Sequence, residues 1–247
     1  MDFENLELEP FGLFKNKDGE LQRTEEWLKA RSGNFTGSKI KDLMNCGRST
    51  AKLPWGTVEK LVDFGVTAER YVYAVGKERT TGHMSQNVTS QELRHGITNE
   101  PLLIQKMLDQ GIISDYTPSS FEKFEGCNGG ASPDGKAIYK GQKVGLETKC
   151  CVSWAGHYNR MYNKVDQKHD DFWQFQAEMF ALGVDKLLYV VASPMTIEDY
   201  EVQVIDASSI HQKAMVQRIE IADSAINHWN NHHYSDALKL ACAEWAE

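Results

Sequence analysis

An acid and a lysine two residues apart stand inside an otherwise apolar stretch, Val144-Gly145-Leu146-Glu147-Thr148-Lys149-Cys150-Cys151-Val152. Burying them is costly unless they pair with one another or hold a cation. No other stretch limits the available folds as strongly. Upstream, Ala137-Ile138-Tyr139 and Val144-Gly145-Leu146 flank the polar Lys140-Gly141-Gln142-Lys143. Aromatic and β-branched runs around a glycine-containing turn predict a hairpin. Its return strand brings Glu147 beside Asp134, which follows Pro133. Side chains alternate along a strand, so Glu147 and Lys149 share one face at roughly 6–7 Å, while the Thr148 side chain turns away and its carbonyl stays near the same edge. Asp134, Glu147 and the Thr148 carbonyl are hard oxygen donors of the kind that suit Mg²⁺ or Mn²⁺. The plainer reading, a turn followed by a solvated charged strand, leaves the apolar flanks of Glu147 unexplained.

The 247 residues are enough for one large domain with a substantial core, and 41% hydrophobic with 25% charged content is ordinary for a globular protein. No apolar run is long enough to cross a membrane, and the acidic start, Met1-Asp2-Phe3-Glu4, lacks the basic and apolar regions of a signal peptide. A cytoplasmic protein is expected. The five cysteines, an odd number without C-x-x-C spacing, argue against a disulfide framework or a zinc site. The net charge of −8 opposes nonspecific nucleic-acid binding and restricts any such contact to local basic segments.

Residues 1–22 carry Phe3, Leu6, Phe11 and Phe14 among acids and read as an arm. Thr24 followed by Glu25 and Glu26 is a helix-start signal. A loop of small and hydroxyl residues, 32–38, then feeds a second helix over 39–44, where free N–H groups favour an anion and Arg31 is placed to add a bidentate contact. The alternative is that Thr36 or Ser38 only caps that helix. The loop over 46–56 reads as mobile and basic. Lys52 and Trp55 there either lie on nucleic acid, the indole stacking on a base, or form an ordinary connection with a buried tryptophan.

Residues 57–77 have helical periodicity, as have 91–97 and 102–108. Pro101 suits only a first turn or a kink. Residues 154–163 read as a helix with Arg160, Lys164 and Lys168 as a basic stretch, and 170–179 as a helix with an aromatic face. The run 186–192 reads as a buried central strand, the alternating 200–205 as an edge strand, and 208–247 as helical. His157 is expected in a structural role, and His228, His232 and His233 as a polar helix end. The architecture is α/β, a central mixed sheet flanked by helices in one domain spanning 1–247, with helical N- and C-terminal parts.

Pro133-Asp134 with Glu147-Thr148-Lys149 resembles the PD-(D/E)xK nuclease superfamily, whose core is restriction-endonuclease-like. With the further segments below, the chain is similar to the lambda-exonuclease (YqaJ-type viral recombinase) family from about residue 24 to 191. Arg31-x-Gly33-x-x-Thr36-x-Ser38 matches that family's N-terminal pattern, with Gly37 where alanine is usual and little steric consequence expected. Gly96-x-x-x-Glu100 matches a segment that supplies a further carboxylate, although without the resemblance Glu100 reads equally as a solvated helix residue. Ser132-Pro133-Asp134-Gly135 matches the serine-bearing catalytic turn.

The resemblance implies a metal-dependent 5′→3′ exonuclease on double-stranded DNA ends that leaves 3′ overhangs for recombination by strand annealing. Asp134, Glu147, Lys149 and Glu100 would be catalytic, with Asp134, Glu147, the Thr148 carbonyl and Glu100 around two Mg²⁺ ions. Lys149 would orient or deprotonate the attacking water. Arg31, Ser38, Ser132 and Gln176, the second glutamine of Gln174-x-Gln176, would hold the terminal 5′-phosphate. An annealing protein as partner and a homotrimeric ring follow from the same resemblance, the ring drawing on the arm over 3–14 and on the C-terminal helices with Trp229 and Trp245. The rival readings are a structure- or sequence-specific endonuclease and a non-catalytic DNA-end-binding protein.

Overall fold

The computed structural model describes residues 22, 24–83, 91–162, 165–166, 168–229 and 231–247. The N-terminal arm and Lys164 lie outside these residues. The predicted hairpin forms from β5 (Gly135–Tyr139) and β6 (Gln142–Cys150), joined by Lys140 and Gly141. Both turn residues have positive φ, 47° and 77°, the twist that a two-residue hairpin loop requires. Around this hairpin a five-stranded sheet is built in the order β2 (Ile113–Pro118), β5, β6, β7 (Lys186–Ala192), β8 (Tyr200–Asp206). It is antiparallel except between β6 and β7. The run 186–192 is thus the buried interior strand and 200–206 an edge, as their patterns predict.

Strand alternation sorts β6 between two layers. Val144, Leu146 and Cys150 pack with Leu103, Ile104 and Met107 of α5 (Gln91–Asp109). On the opposite face Leu187, Tyr189 and Val191 of β7 pack with Met161 of α6 (Trp154–Tyr162) and with Phe175 and Met179 of α7 (Phe172–Leu182). Glu147 and Lys149 have the parity of this second face. Helix α5 runs unbroken through Pro101, so the proline sits in a helix interior, where it withholds an N–H from the preceding turn.

The N-terminal elements are α1 (Glu25–Arg31), β1 (Phe35–Thr36), a 3₁₀ turn (Gly37–Lys39) and α2 (Ile40–Leu43). Thr24 Oγ1 accepts from the Trp27 amide and caps α1. The expected helix over 39–44 is therefore a single turn behind a 3₁₀ turn. Strands β1, β4 (Gly129–Ala131) and β3 (Glu122–Lys123) form a small second sheet in the order β1-β4-β3. The periodic segment 57–77 divides into α3 (Val58–Leu61) and α4 (Val66–Thr81), and the chain ends in α8 (Ser209–His228) and α9 (Tyr234–Ala246).

The break between α3 and α4, where Gly65 opens α4, lies against Arg218 of α8, which is fully buried. Its guanidinium donates to the carbonyls of Leu43, Asn45, Lys60, Leu61 and Asp63 and lies 3.8 Å from the centre of the Phe64 ring. Burial pulls its pKa down to about 10. Helix ends expose unpaired carbonyls, and one side chain gathers those of α2 and α3. The loop over 46–56 is correspondingly tied down rather than mobile. Lys60 Nζ donates to the carbonyls of Ala51 (3.1 Å) and Leu53 (2.6 Å), and Asp63 accepts from the Gly47 amide. Trp55 is 9% exposed and packs edge-on against Trp173. Of the two readings of Trp55 the buried one holds, and only Lys52 of that pair is exposed.

Gly37 also matters sterically, contrary to expectation. A Cβ there would lie 2.9 Å from the Ala131 Cβ, so the 3₁₀ turn closes directly on β4. Trp229 covers Gly76 of α4 and contacts Tyr73 and Tyr234, and Trp245 packs on the main core. Both indoles are half-buried by these contacts within their own chain. No described helix is long and apolar enough to cross a membrane, and the five cysteines are free thiols.

Candidate active site

At the open end of the hairpin the Asp134 amide donates to the Leu146 carbonyl, which sets residue 134 opposite residue 147. The Asp134 carboxylate turns toward Thr148. Its Oδ2 accepts from the Thr148 amide and hydroxyl, both at 2.7 Å. The segment around it is held from outside: the Tyr116 hydroxyl donates to the Asp134 carbonyl at 2.9 Å and Gln22 Nε2 to the Pro133 carbonyl at 2.8 Å. Burial, with the Asp134 charge, raises the Tyr116 pKa, so it remains a donor.

Glu147 is 3% exposed and forms an ion pair with Lys149. The predicted sharing of a face is realised as direct contact. Burial alone would lower the lysine, but Glu147, Glu100, Asp171 and Asp134 together raise it well above its ordinary value. Lys149 is thus a held ammonium, suited to orienting water and neutralising phosphate. Glu100 of α5 is one of the charges that act on Lys149. The glycine of Gly96-x-x-x-Glu100 has a physical reason, since a Cβ at Gly96 would lie 2.9 Å from Glu100 Oε1.

The sequence reading missed a second buried carboxylate. Gln174 Nε2 donates at 2.7 Å to Glu147 Oε1 and at 2.7 Å to Glu178 Oε1. Glu178, one helical turn further along α7, is 1% exposed. Burial pushes its pKa up to about 8 against the pull of Lys149 and Gln174. Burial and the Glu178 charge raise Glu147 too. The two buried acids therefore titrate as a coupled set, each holding its proton above the usual carboxylate range. The signal was present, since Glu178 is a lone acid in the aromatic run 172–180 just as Glu147 is in its strand.

Gln176 has to be corrected. It is fully buried, pointing the other way along α7, with Nε2 donating to the Asp206 carbonyl and Oε1 accepting from the Ser208 amide. Residues two apart on a helix face different sides. Gln174 takes the position at the site, and Gln176 fastens α7 to the β8–α8 junction.

The other three anion-pocket residues come together. Arg31 Nη1 donates to Ser132 Oγ at 3.0 Å, and Arg31 Nη2 lies 3.5 Å from Ser38 Oγ. Trp27 Nε1 also donates to Ser132 Oγ, at 3.0 Å, and the guanidinium stacks on the Trp27 ring at 4.2 Å. The indole is a residue that the sequence reading did not find, although it lies one turn before Arg31. A cleft of about 370 Å³ opens beside Arg31 and Ser38, with Arg70 as a further cation on its wall. Ser132 and Asp134 are two residues apart, so this cationic pocket and the acid–lysine cluster are separated by roughly 7 Å of chain.

Fit to a metal ion can be judged from the donors. Glu147 Oε2 and Glu178 Oε2 are buried without a hydrogen-bond partner among the described residues. No three His, Cys, Asp or Glu side chains among those residues converge to hold an ion by themselves. The site instead offers Asp134, Glu147 and main-chain oxygen, a sparse all-oxygen set that fits Mg²⁺, which keeps most of its waters. His157 is buried against Trp154, and His228 pairs with Glu244. Neither belongs to the cluster.

No protein-family model and no curated protein sequence matches the chain. Among solved structures it is similar to an alkaline exonuclease (LHK-Exo) from Laribacter hongkongensis, with a TM-score of 0.63 and 19% identity over 88% of this chain and 100% of that one. The same exonuclease in complex with dAMP matches at 0.63 and 20% identity, with the same coverage. A phage-related exonuclease from Haemophilus somnus 129PT matches at 0.57 and 13% identity, over 85% of this chain and 94% of that one. The chain shares the fold of these exonucleases.

Proposed function

We propose that this chain is a Mg²⁺-dependent deoxyribonuclease that degrades double-stranded DNA from its 5′ ends and leaves 3′ single strands. The observation that carries the reading is the short link between two sites of opposite charge. Arg31, Ser38 and Ser132 form an anion pocket, and two residues along the chain Asp134 begins the acid–lysine cluster. A terminal phosphate held by the first would bring a nearby phosphodiester to the second. The alkaline exonuclease of like fold adds support.

Asp134 and Glu147, with the Thr148 carbonyl, would hold the metal, and Glu100 stands close enough to act on the same charge balance. When bound, Mg²⁺ would lower the pKa of a coordinated water and stabilise charge on phosphate oxygens. Lys149 would orient the attacking water and neutralise charge on the scissile phosphate. Thr148 fixes one Asp134 oxygen and Gln174 one Glu147 oxygen, so the opposing edges of both carboxylates are left for the cation. Manganese suits the same donors. Recombination by strand annealing, with an annealing protein as partner and a ring of three chains around the duplex, is what the lambda-exonuclease resemblance further implies.

The test is digestion of end-labelled linear duplex with and without Mg²⁺, alongside a closed circular duplex. Mg²⁺-dependent loss of the linear substrate, faster with a 5′-phosphate than with a 5′-hydroxyl, is expected. Cutting of the closed circle would make the chain an endonuclease. End binding without cleavage in either cation would make it a non-catalytic DNA-end-binding protein.

A further inference from the structure

Helix α6 is built inside out for a surface helix. His157 and Met161 face the core, while Trp154, Tyr158 and Tyr162 turn outward with 56%, 59% and 65% of their surface exposed. They recur every four residues and so form one stripe. Tyr158 and Tyr162 stack at 5.0 Å with 26° between their planes. Single exposed apolar residues need no explanation, but a row of three aromatic rings does. Aromatic rings are enriched at protein interfaces as well as on base-stacking surfaces, and light scattering of the variants separates the two. Here the exposed residues between the rings are Ala155 and Asn159. Helix α6 itself carries Arg160 and no acid, while Asp166, Asp170 and Asp171 line the cleft beside Asn159 and Arg160 together with Lys168.

The stripe adjoins the candidate active site. Trp154 is five residues beyond Lys149, a reach of at most about 18 Å. Arg160 of α6 pairs with Asp171 at 3.4 Å, and Asp171 is one of the charges acting on Lys149. We infer that Trp154, Tyr158 and Tyr162 form a stacking track for the bases of single-stranded DNA next to the site of cleavage. The inference rests on the nuclease reading. Every base has a π face, so such a track is tolerant of sequence, and its affinity comes from stacking rather than from the phosphate charge that this acidic chain is poorly equipped to bind. Digestion of one strand of a duplex necessarily yields an unpaired strand for such a track to hold.

The experiment is fluorescence anisotropy of a labelled oligothymidylate with the full chain in EDTA, at low and high salt. The triple variant Trp154→Ala, Tyr158→Ala, Tyr162→Ala should bind at least on the order of tenfold more weakly, and Tyr158→Phe with Tyr162→Phe should bind like the unaltered protein. The difference should persist at high salt. Light scattering of each variant and digestion of linear duplex by the unaltered protein are read in parallel. Equal oligothymidylate affinity in the triple variant, or no binding by the unaltered protein, overturns the track. A fall in mass of the triple variant with affinity unchanged would make the stripe a protein contact and overturn it too. Failure of duplex digestion with oligonucleotide binding intact and stripe-dependent would instead remove the nuclease reading and leave the track standing.

Discussion

Glu178 shows what one side chain can do without touching substrate. It offers Gln174 a second acceptor, and Gln174 in turn steadies Glu147. Glu178→Gln keeps an acceptor oxygen in the same place and should leave activity within a few-fold. Glu178→Ala should lower activity or metal affinity by roughly 10- to 100-fold, as for groups that orient metal ligands. Titration of nuclease rate against Mg²⁺ separates the two, and equal loss in both variants would show that the carboxylate acts in some other way. Proton linkage gives a second readout. Glu178 is held protonated up to about pH 8 when folded, whereas an unfolded glutamate ionises near 4.3. The native state therefore binds the extra proton between these values, and stability falls as pH rises through that window, by at most about 1.4 kcal/mol per pH unit for each such group. Glu147 contributes in the same direction. In EDTA, urea unfolding of Glu178→Gln between pH 5 and 8 should be less pH-dependent than that of the unaltered protein; identical slopes would place the proton elsewhere. At this scale strand parity and the hairpin were enough to bring Asp134, Glu147 and Lys149 together, whereas Arg31, Ser38 and Ser132 were grouped only through the family resemblance, since Ser132 lies 101 residues from Arg31. Glu178 and Trp27 were not grouped with them, because neither a strand pattern nor a matched motif includes them.

Helices place side chains by a period of 3.6 residues, and that explains both a success and an error. Gly96 and Glu100 lie one turn apart, so a missing side chain at the first makes room for the carboxylate of the second. Gly96→Ala should raise stability by about 0.5–1 kcal/mol through helix propensity and still lower nuclease activity, because its methyl displaces Glu100. Thermal unfolding and the duplex assay on one preparation check this, and a gain in stability with full activity would release Glu100 from any role. Gln174 and Gln176 differ by two residues and hence face different ways, which the pattern Gln-x-Gln does not disclose. The split of 57–77 into α3 and α4 was missed although Gly65 marks it, and the carbonyls it frees are taken up by an arginine more than 150 residues later.

At the level of the whole molecule, Arg218 joins α8 to the ends of α2 and α3. Arg218→Ala would strand five carbonyls, those of Leu43, Lys60 and Leu61 on buried residues, and a loss of about 3–5 kcal/mol is expected. Denaturant unfolding measures it, and a loss under 1 kcal/mol would show that water takes over those carbonyls. Lambda-exonuclease-like assembly predicts about three times the 28.0 kDa chain mass in light scattering. A monomer at micromolar concentration would end that expectation. The parallel pairing of β6 with β7 has a consequence for making the protein at all. Residues 151–185 must fold across the sheet before the two strands can meet. Until then Lys186–Ala192, an almost wholly apolar segment of high β-propensity, has no covering. Such segments seed aggregation when left waiting. Refolding yield should therefore fall as protein concentration rises, and substitutions in α6 or α7 that slow the crossing should appear first as insoluble protein.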